Sequence, residues 1–472
     1  MYVADSRAGS PKLSSSPEQG GPPSAASTDG AVRPSAGRRR AAVAPTVLAL
    51  GTVSLVTDVS SEMVTAVLPL YLVAGLGVSP LGFGLLDGIY NGFSALVRLA
   101  GGHLADRDGG RHKWVAGVGY GISALCKPLL LLAHTLTPIG LVLAADRTGK
   151  GLRTAPRDAL ISLSSTPETR GRAFGVHRAM DTAGALLGPL VAFVILRATV
   201  DGYDAVFTVG FCVALAGVLV LVLFVPGGGP TAEPGDTRAA EPSDRPAATE
   251  PSDRPAAEPS DRTAPADGAR PTLRAALSLL RRRGLRRITV CALLLGLATV
   301  SDSFVYLLLQ RRLGVPDRWF ALLPLGTAAA FLVLAVPLGR LADRMGRWRV
   351  FLGGHGALLL AYVLLLTSWH SGALPYAVLA LHGAFYAATD GVLMAAASDS
   401  VPQHLRSSGL ALVQTGQATA RFACSLGFGA AWTLWGDRTA LLASTAALAV
   451  CAAFSLTLRP QDPAPLCPEG TA

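Results

Sequence analysis

Twelve long apolar segments, joined mostly by short polar connections, constrain this chain more than any other feature. They fall at about 43–73, 79–106, 114–134, 138–164, 171–198 and 202–226, then 285–312, 319–342, 348–367, 371–400, 406–436 and 438–458. A membrane-crossing helix needs about 20 predominantly apolar residues, and each segment has that length. Half of the residues are hydrophobic and only 15% are charged, against about 25% in an ordinary soluble domain. This pattern excludes a soluble enzyme, a disulfide-stapled secreted scaffold and a protein held by one anchor. Six cysteines occur, none in a Cys-x-x-Cys pair. They read as small residues of apolar helices and not as metal ligands, so no metal and no cofactor is expected.

The connection between the sixth and seventh segments is long and repetitive. It carries Glu241-Pro-Ser-Asp-Arg245 and repeats that pentapeptide at 250–254 and 258–262. Low-complexity sequence of this kind buries too little apolar surface to fold. The expected organisation is a disordered cytoplasmic tail at 1–42, a six-helix bundle at 43–226 and a disordered linker at 227–284, basic where it leads into the seventh span. A second six-helix bundle at 285–458 and a tail at 459–472 complete it. The first 42 residues hold no apolar stretch of signal-peptide length, so the first span is expected to direct insertion.

Lysine and arginine set the orientation. With both termini cytoplasmic, 22 of them lie at cytoplasmic ends, among them Arg38–Arg40, Arg107, Lys113, Arg281–Arg283, Arg344 and Arg349. Five lie on the other side: Arg197, Arg311, Arg312, Arg318 and Arg438. Cytoplasmic loops are enriched in positive charge, so this orientation in the cell membrane is expected. It also accounts for most of the +10 formal charge with no nucleic-acid partner. The lipid bilayer is the expected surrounding.

A charge at mid-bilayer costs roughly 2.5–3.5 kcal/mol on insertion scales, so such residues face the protein interior. Nine acids lie within the segments: Asp58, Glu62, Asp87, Asp146, Asp158, Asp181, Asp302, Asp390 and Asp399. Eight bases accompany them: Arg98, Lys127, Arg147, Lys150, Arg153, Arg157, Arg178 and Arg421. Near-equal numbers point to paired networks. Asp58 and Glu62 are four apart and share a helix face. Two close carboxylates resist double ionisation, so the pair suits the loading and release of a proton. Asp302, in Thr299-Val-Ser-Asp302-Ser303, and Asp390 are the counterparts in the second half.

The fourth segment reads Asp146-Arg147-Thr-Gly149-Lys150-Gly151-Leu-Arg153-Thr-Ala-Pro156-Arg157-Asp158. Positions 146, 150, 153 and 157 fall at helical spacing as one charged stripe. Asp146, Arg147 and Lys150 are candidates for contact with substrate or proton. The glycines and Pro156 are expected to let the helix bend. Gly149-Lys150-Gly151 is not a phosphate loop, because the spacing and the following Ser or Thr are missing. In the fifth segment, His177, Arg178 and Asp181 read as a satisfied helix-end cluster.

The halves resemble each other. Gly102-His-Leu-Ala-Asp106-Arg107-Asp-Gly109 follows the second segment, and Gly339-Arg-Leu-Ala-Asp343-Arg344-Met-Gly346 follows the eighth at a constant offset. Internal repeats are a mark of secondary transporters. These loops resemble the signature of the major facilitator superfamily, in which the acid and bases serve as a conformational latch. Arg147 and Gly151 match that family's fourth-span motif, with Arg153 replacing a second glycine. Gly175, Gly184, Gly188 and Pro189 match its fifth-span antiporter motif in part, with Ala192 and Phe193 replacing the last two glycines. The resemblance covers roughly 43–458 and implies two pseudo-symmetric six-helix bundles around a cavity lined by spans 1, 4, 7 and 10. It is an all-α membrane fold, usually monomeric.

The expectation is therefore a transporter and not an enzyme: a proton-coupled antiporter exporting a small organic molecule, with that small molecule and protons as its partners. Proton-coupled import of a metabolite or sugar is the alternative with the same parts. A non-transporting membrane sensor is the alternative of another class.

Overall fold

The computed structural model describes residues 44–107, 112–166, 169–200, 202–226, 281, 283–367, 371–399, 401 and 406–458. The expected tails at 1–42 and 459–472, nearly all of the linker, and Gly109 lie outside them. Among the described residues there is no strand.

The first bundle consists of α1 (Pro45–Leu70), α2 (Pro80–Arg107), α3 (His112–Leu132), α4 (Leu136–Leu163), α5 (Arg170–Ala198) and α6 (Gly202–Phe224). The second consists of α7 (Arg283–Ala298), α8 (Asp302–Leu313), α9 (Asp317–Phe320), α10 (Leu323–Met345), α11 (Arg347–Leu366), α12 (Leu374–Asp399) and α13 (Arg406–Thr457). Residues 44 and 226 mark one end of the molecule, called here the tail end. The turns at 76–79, 199–200 and 314–316 mark the far end.

Among the described residues, nine stretches are long and apolar enough to cross a membrane. Three local facts bring these to twelve crossings. α2 and α4, of 28 residues each, have the length but a more polar composition. α13 is two helices merged across Gly436, whose φ of +82° turns the chain in a single residue. That left-handed conformation carries no steric penalty for glycine alone.

The seventh span departs from one continuous helix. It breaks at Thr299–Ser301, between α7 and α8. Backbone groups freed in a membrane need partners inside the protein, and side chains supply them. The Val300 N–H donates to the Tyr362 hydroxyl of α11 at 2.9 Å, and the Cys424 thiol of α13 donates to the Thr299 carbonyl at 3.2 Å. The fourth span departs the other way. α4 runs on through Pro156 as one helix, and the interruption falls in the seventh span instead.

Within the first bundle, α1 packs on α5 and α6, and α4 on α2 and α3. In the second, α12 packs on α10 and α11, and α13 on α7. The main seam between the bundles is α2 against α13. There the Leu81 N–H donates to Thr433 Oγ1 at 3.0 Å. Nearby, Phe83 meets Phe304 edge-on with ring centroids 4.9 Å apart, and Phe193 meets Trp319 at 5.2 Å. These contacts gather toward the far end. Exposed Leu, Val and Phe side chains such as Leu141, Val194, Leu223, Val333 and Leu434 give the outer surface its apolar belt.

Candidate functional site

The charged residues of the first bundle meet where α1, α4 and α5 converge. α1 and α4 run antiparallel, so acids four apart on one face bases three apart on the other. Arg153 Nη2 lies 3.3 Å from Asp58 Oδ1, and Lys150 Nζ lies 3.8 Å from Glu62 Oε1. The two pairs differ in kind. Arg153 and Asp58 are nearly buried, whereas the side chains of Lys150 and Glu62 are 35% and 29% exposed. The first is a desolvated ion pair, and the second is accessible to a ligand.

Asp58 and Glu62 do share a face, but the acid that acts most on Asp58 is Asp181 on α5. Asp181 is also held by Arg157 at 3.5 Å and by Arg178 at 3.7 Å. Arg157 in turn reaches Asp158 at 3.1 Å and donates to Ser54 Oγ at 3.4 Å. Ser54 pairs with His177 at 2.9 Å. The fifth-span cluster is thus tied into the same network as the first-span acids.

The fourth-span stripe divides. Lys150, Arg153 and Arg157 face α1 and α5. Asp146 is bound by Arg147 and lies beside buried Lys127 of α3. Arg147 stacks on the Tyr90 ring of α2, 3.8 Å from its centroid. The Tyr90 hydroxyl is 2.6 Å from Thr65 Oγ1 on α1. Arg147 therefore ties three helices together at the centre of the bundle.

The antiporter-type glycines set these distances. A Cβ on Gly188 would lie 2.7 Å from Glu62 Cβ and 2.9 Å from the Met63 nitrogen, and Gly184 faces the Leu55 backbone. Small residues here let α5 approach α1 closely enough for Asp181 to act on Asp58. Pro189 is buried beside Gly188, whereas a Cβ on Gly175 would meet nothing.

In the second bundle, Asp302 opens α8 just after the break. Tyr386 Oη donates to Asp302 Oδ1 at 2.5 Å, and His382 Nε2 lies 3.5 Å from the same oxygen. Asp390 continues that face of α12 and lines a cavity with Thr299, His355, Thr389, Gln417 and Arg421. Arg421 acts electrostatically on Asp390.

The family model for the Major Facilitator Superfamily matches residues 50–425. The chain belongs to that superfamily. It is 26% identical over 412 residues to an uncharacterized MFS-type transporter of Methanocaldococcus jannaschii, covering 85% of this chain and 92% of that one. An uncharacterized protein of Mycobacterium tuberculosis is 34% identical over 157 residues, 33% of this chain and 38% of the other. Among solved structures, the nucleoside transporter NupG superposes with a TM-score of 0.67 at 13% identity, over 88% of this chain and 98% of that one. A bacterial Spinster homologue in an inward-facing state gives 0.65 at 14% identity, over 88% and 96%. A D-xylose–proton symporter gives 0.62 at 16% identity, over 88% and 97%. At these identities the structures share the fold. The protein is an integral membrane transporter of a small-molecule substrate and not an enzyme.

The superfamily's loop motif lies at the tail end. Gly102, Asp106 and Arg107 close α2, their side chains lying outside the described part of the structure. Asp343 and Arg344 are exposed at the end of α10. Gly339 meets no neighbour, and Gly346 takes a φ of +93° to separate α10 from α11.

Sequence reasoning passed over His382 and Tyr386. The signal was present, since 382, 386 and 390 fall four apart on one helix face. It also left Asp87 unassigned among the buried acids.

Proposed function

We propose that the protein is a proton-coupled antiporter of the cell membrane that exports a small organic molecule. The observation that supports this most is that Asp58 and Asp181, which interact electrostatically, are each paired to a fourth-span arginine, Arg153 and Arg157. Two carboxylates this near each other resist double ionisation, so the pair suits the holding of one proton between them. Loss of that proton to the cytoplasm leaves two full charges for the arginines and tightens the network around α1, α4 and α5. Reloading from outside loosens it. The accessible Glu62–Lys150 pair, one turn of α1 away, is the point at which substrate is gained and released. Arg147 positions α4 through Tyr90 and Asp146.

Export is the preferred direction because the glycines that match the antiporter motif, Gly184 and Gly188, pack directly on the helix that carries Asp58 and Glu62. Asp302 and Asp390 line the opposite wall of the path, and the exposed Asp343 and Arg344 serve the latch. The termini are cytoplasmic, and the transporter works as a monomer.

Sealed everted vesicles test the reading. With an acidic lumen, the exporter accumulates substrate and discharges the pH gradient. Asp58→Asn and Asp181→Asn abolish the discharge, and Glu62→Gln weakens substrate recognition. Export of substrate from the lumen together with protons would establish the importer instead. Substrate flux without proton movement in the wild type would overturn proton coupling.

A further inference from the structure

Asp87 is used by nothing above. It lies on α2 in the half nearer the far end, and the residue is only 5% exposed. Its carboxylate accepts a hydrogen bond at 2.7 Å from Ser425 Oγ on α13, across the seam between bundles. Ser301, at the break before α8, and Ser303, in the first turn of α8, lie beside it. Ser301 Oγ is buried there without a hydrogen-bond partner of its own among the described residues. An acid of the first bundle is thus hydrogen-bonded by one serine of the second and neighboured by two more.

Among the described residues Asp87 makes no ion pair. Around it, α13 presents Ser425 and the Cys424 thiol, with Arg421 one turn further on. The α8 segment presents Ser303 and a second acid, Asp302. A small cavity beside the carboxylate is lined by Thr65 of α1, Leu143 of α4 and Tyr90 of α2 itself, and Arg147 of α4 is stacked on the Tyr90 ring. A carboxylate removed from water without a cation is costly, and taking up a proton removes that cost.

The same seam is where the bundles touch most closely. Gly84 faces the Ser425 carbonyl, Gly429 faces Pro80, and a Cβ on Gly88 would lie 2.9 Å from Phe422 Cδ2. Parting of α2 from α13 withdraws Asp87 from its serines and exposes it to water, where the ionised form is favoured.

We propose that Asp87 is a protonation site at the seam between the bundles, and that its proton holds the far end closed. The proposal goes beyond the antiport reading and shares with it only the movement of the two bundles. The Asp87 proton belongs to the gate, whereas the Asp58–Asp181 proton belongs to transport.

The test uses the full chain in nanodiscs, free of sodium, with every native cysteine replaced except the buried Cys424. Spin labels at Thr135→Cys and Ser371→Cys, both exposed at the far end, report the distance between bundles from pH 5 to pH 9. A second pair within the first bundle reports folding. The expected result is a short distance at low pH and a growing long-distance population as pH rises. Asp87→Asn, neutral at every pH, stays short throughout, while Asp58→Asn keeps the wild-type response. An unchanged pH response in Asp87→Asn with the folding pair intact would overturn the proposal. So would closure of the wild type by added sodium at pH 8, which would make the site one for a metal cation. A normal gate in Asp58→Asn combined with undiminished proton–substrate exchange would count against the antiport reading alone.

Discussion

Asp58 is held from two sides by groups of opposite sign, Arg153 on α4 and Asp181 on α5. Removing one partner of a nearly buried ion pair strands the other, which costs about 3–5 kcal/mol. Arg153→Gln is therefore expected to lower thermal stability in detergent by that order, and Arg153→Gln with Asp58→Asn to recover most of it. A double mutant no more stable than the single would show that Asp58 does not depend on Arg153. The Glu62–Lys150 pair is more open, and exposed pairs contribute about 0–1 kcal/mol. Glu62→Gln is expected to leave the melting temperature nearly unchanged while reducing transport. The candidates themselves were readable in the sequence, because a carboxylate amid Leu and Val is conspicuous. Their partners were not. Helical spacing places Asp58 and Glu62 on one face, but only the crossing of α1 with α5 brings in Asp181, 123 positions further along the chain.

At the scale of elements, glycine stripes determine how near the helices come. Alanine at Gly188 drives its Cβ into Glu62 and Met63, and overpacking of this kind costs about 1–3 kcal/mol. Gly188→Ala is expected to lower stability and abolish transport together. Gly88→Ala acts on the seam and not within a bundle, since its clash is with Phe422 of the other half. It is expected to leave the folding of each bundle intact and to shift spin-labelled chains toward the open far end at all pH values. An unaltered distance distribution would refute that role for the α2–α13 seam. The helices were legible as apolar runs, with the α10–α11 boundary marked by Gly346. The break at Thr299–Ser301 was not legible. No proline or glycine interrupts Thr299-Val-Ser301, and the break is held by Tyr362 and Cys424, distant partners that periodicity does not register. Pro156 carried the opposite lesson, because α4 absorbs it without ending.

At the scale of the molecule, two bundles meet along one principal seam, and positive charge gathers at one end. The cytoplasmic location of that end is open to a direct check. A reporter active only in the cytoplasm is expected to function when fused after Ala472, and one active only outside to function when inserted after Val200. The reverse pattern would invert every statement about inside and outside. The duplicated loop motifs made the two-bundle plan readable in advance. The identity of the seam was not, because residues that meet there, such as Asp87 and Ser425, lie 338 positions apart in the chain.

The one-residue turn at Gly436 has a mechanical meaning. A loop of several residues would absorb sliding between neighbouring helices, but a single glycine offers no slack. When the first arm of α13 shifts along α2, the second arm is drawn with it. That arm carries Leu442, Val450, Phe454 and Leu456 outward into the apolar belt. A gate that worked by such sliding would be coupled to the thickness of the surrounding bilayer, where mismatch costs fractions of a kcal/mol per ångström. Transport rates in vesicles of graded acyl-chain length should pass through an optimum, and lengthening the turn at Gly436 with several glycines should flatten it. A rate independent of chain length in the native protein would show that the last span floats free of the gate.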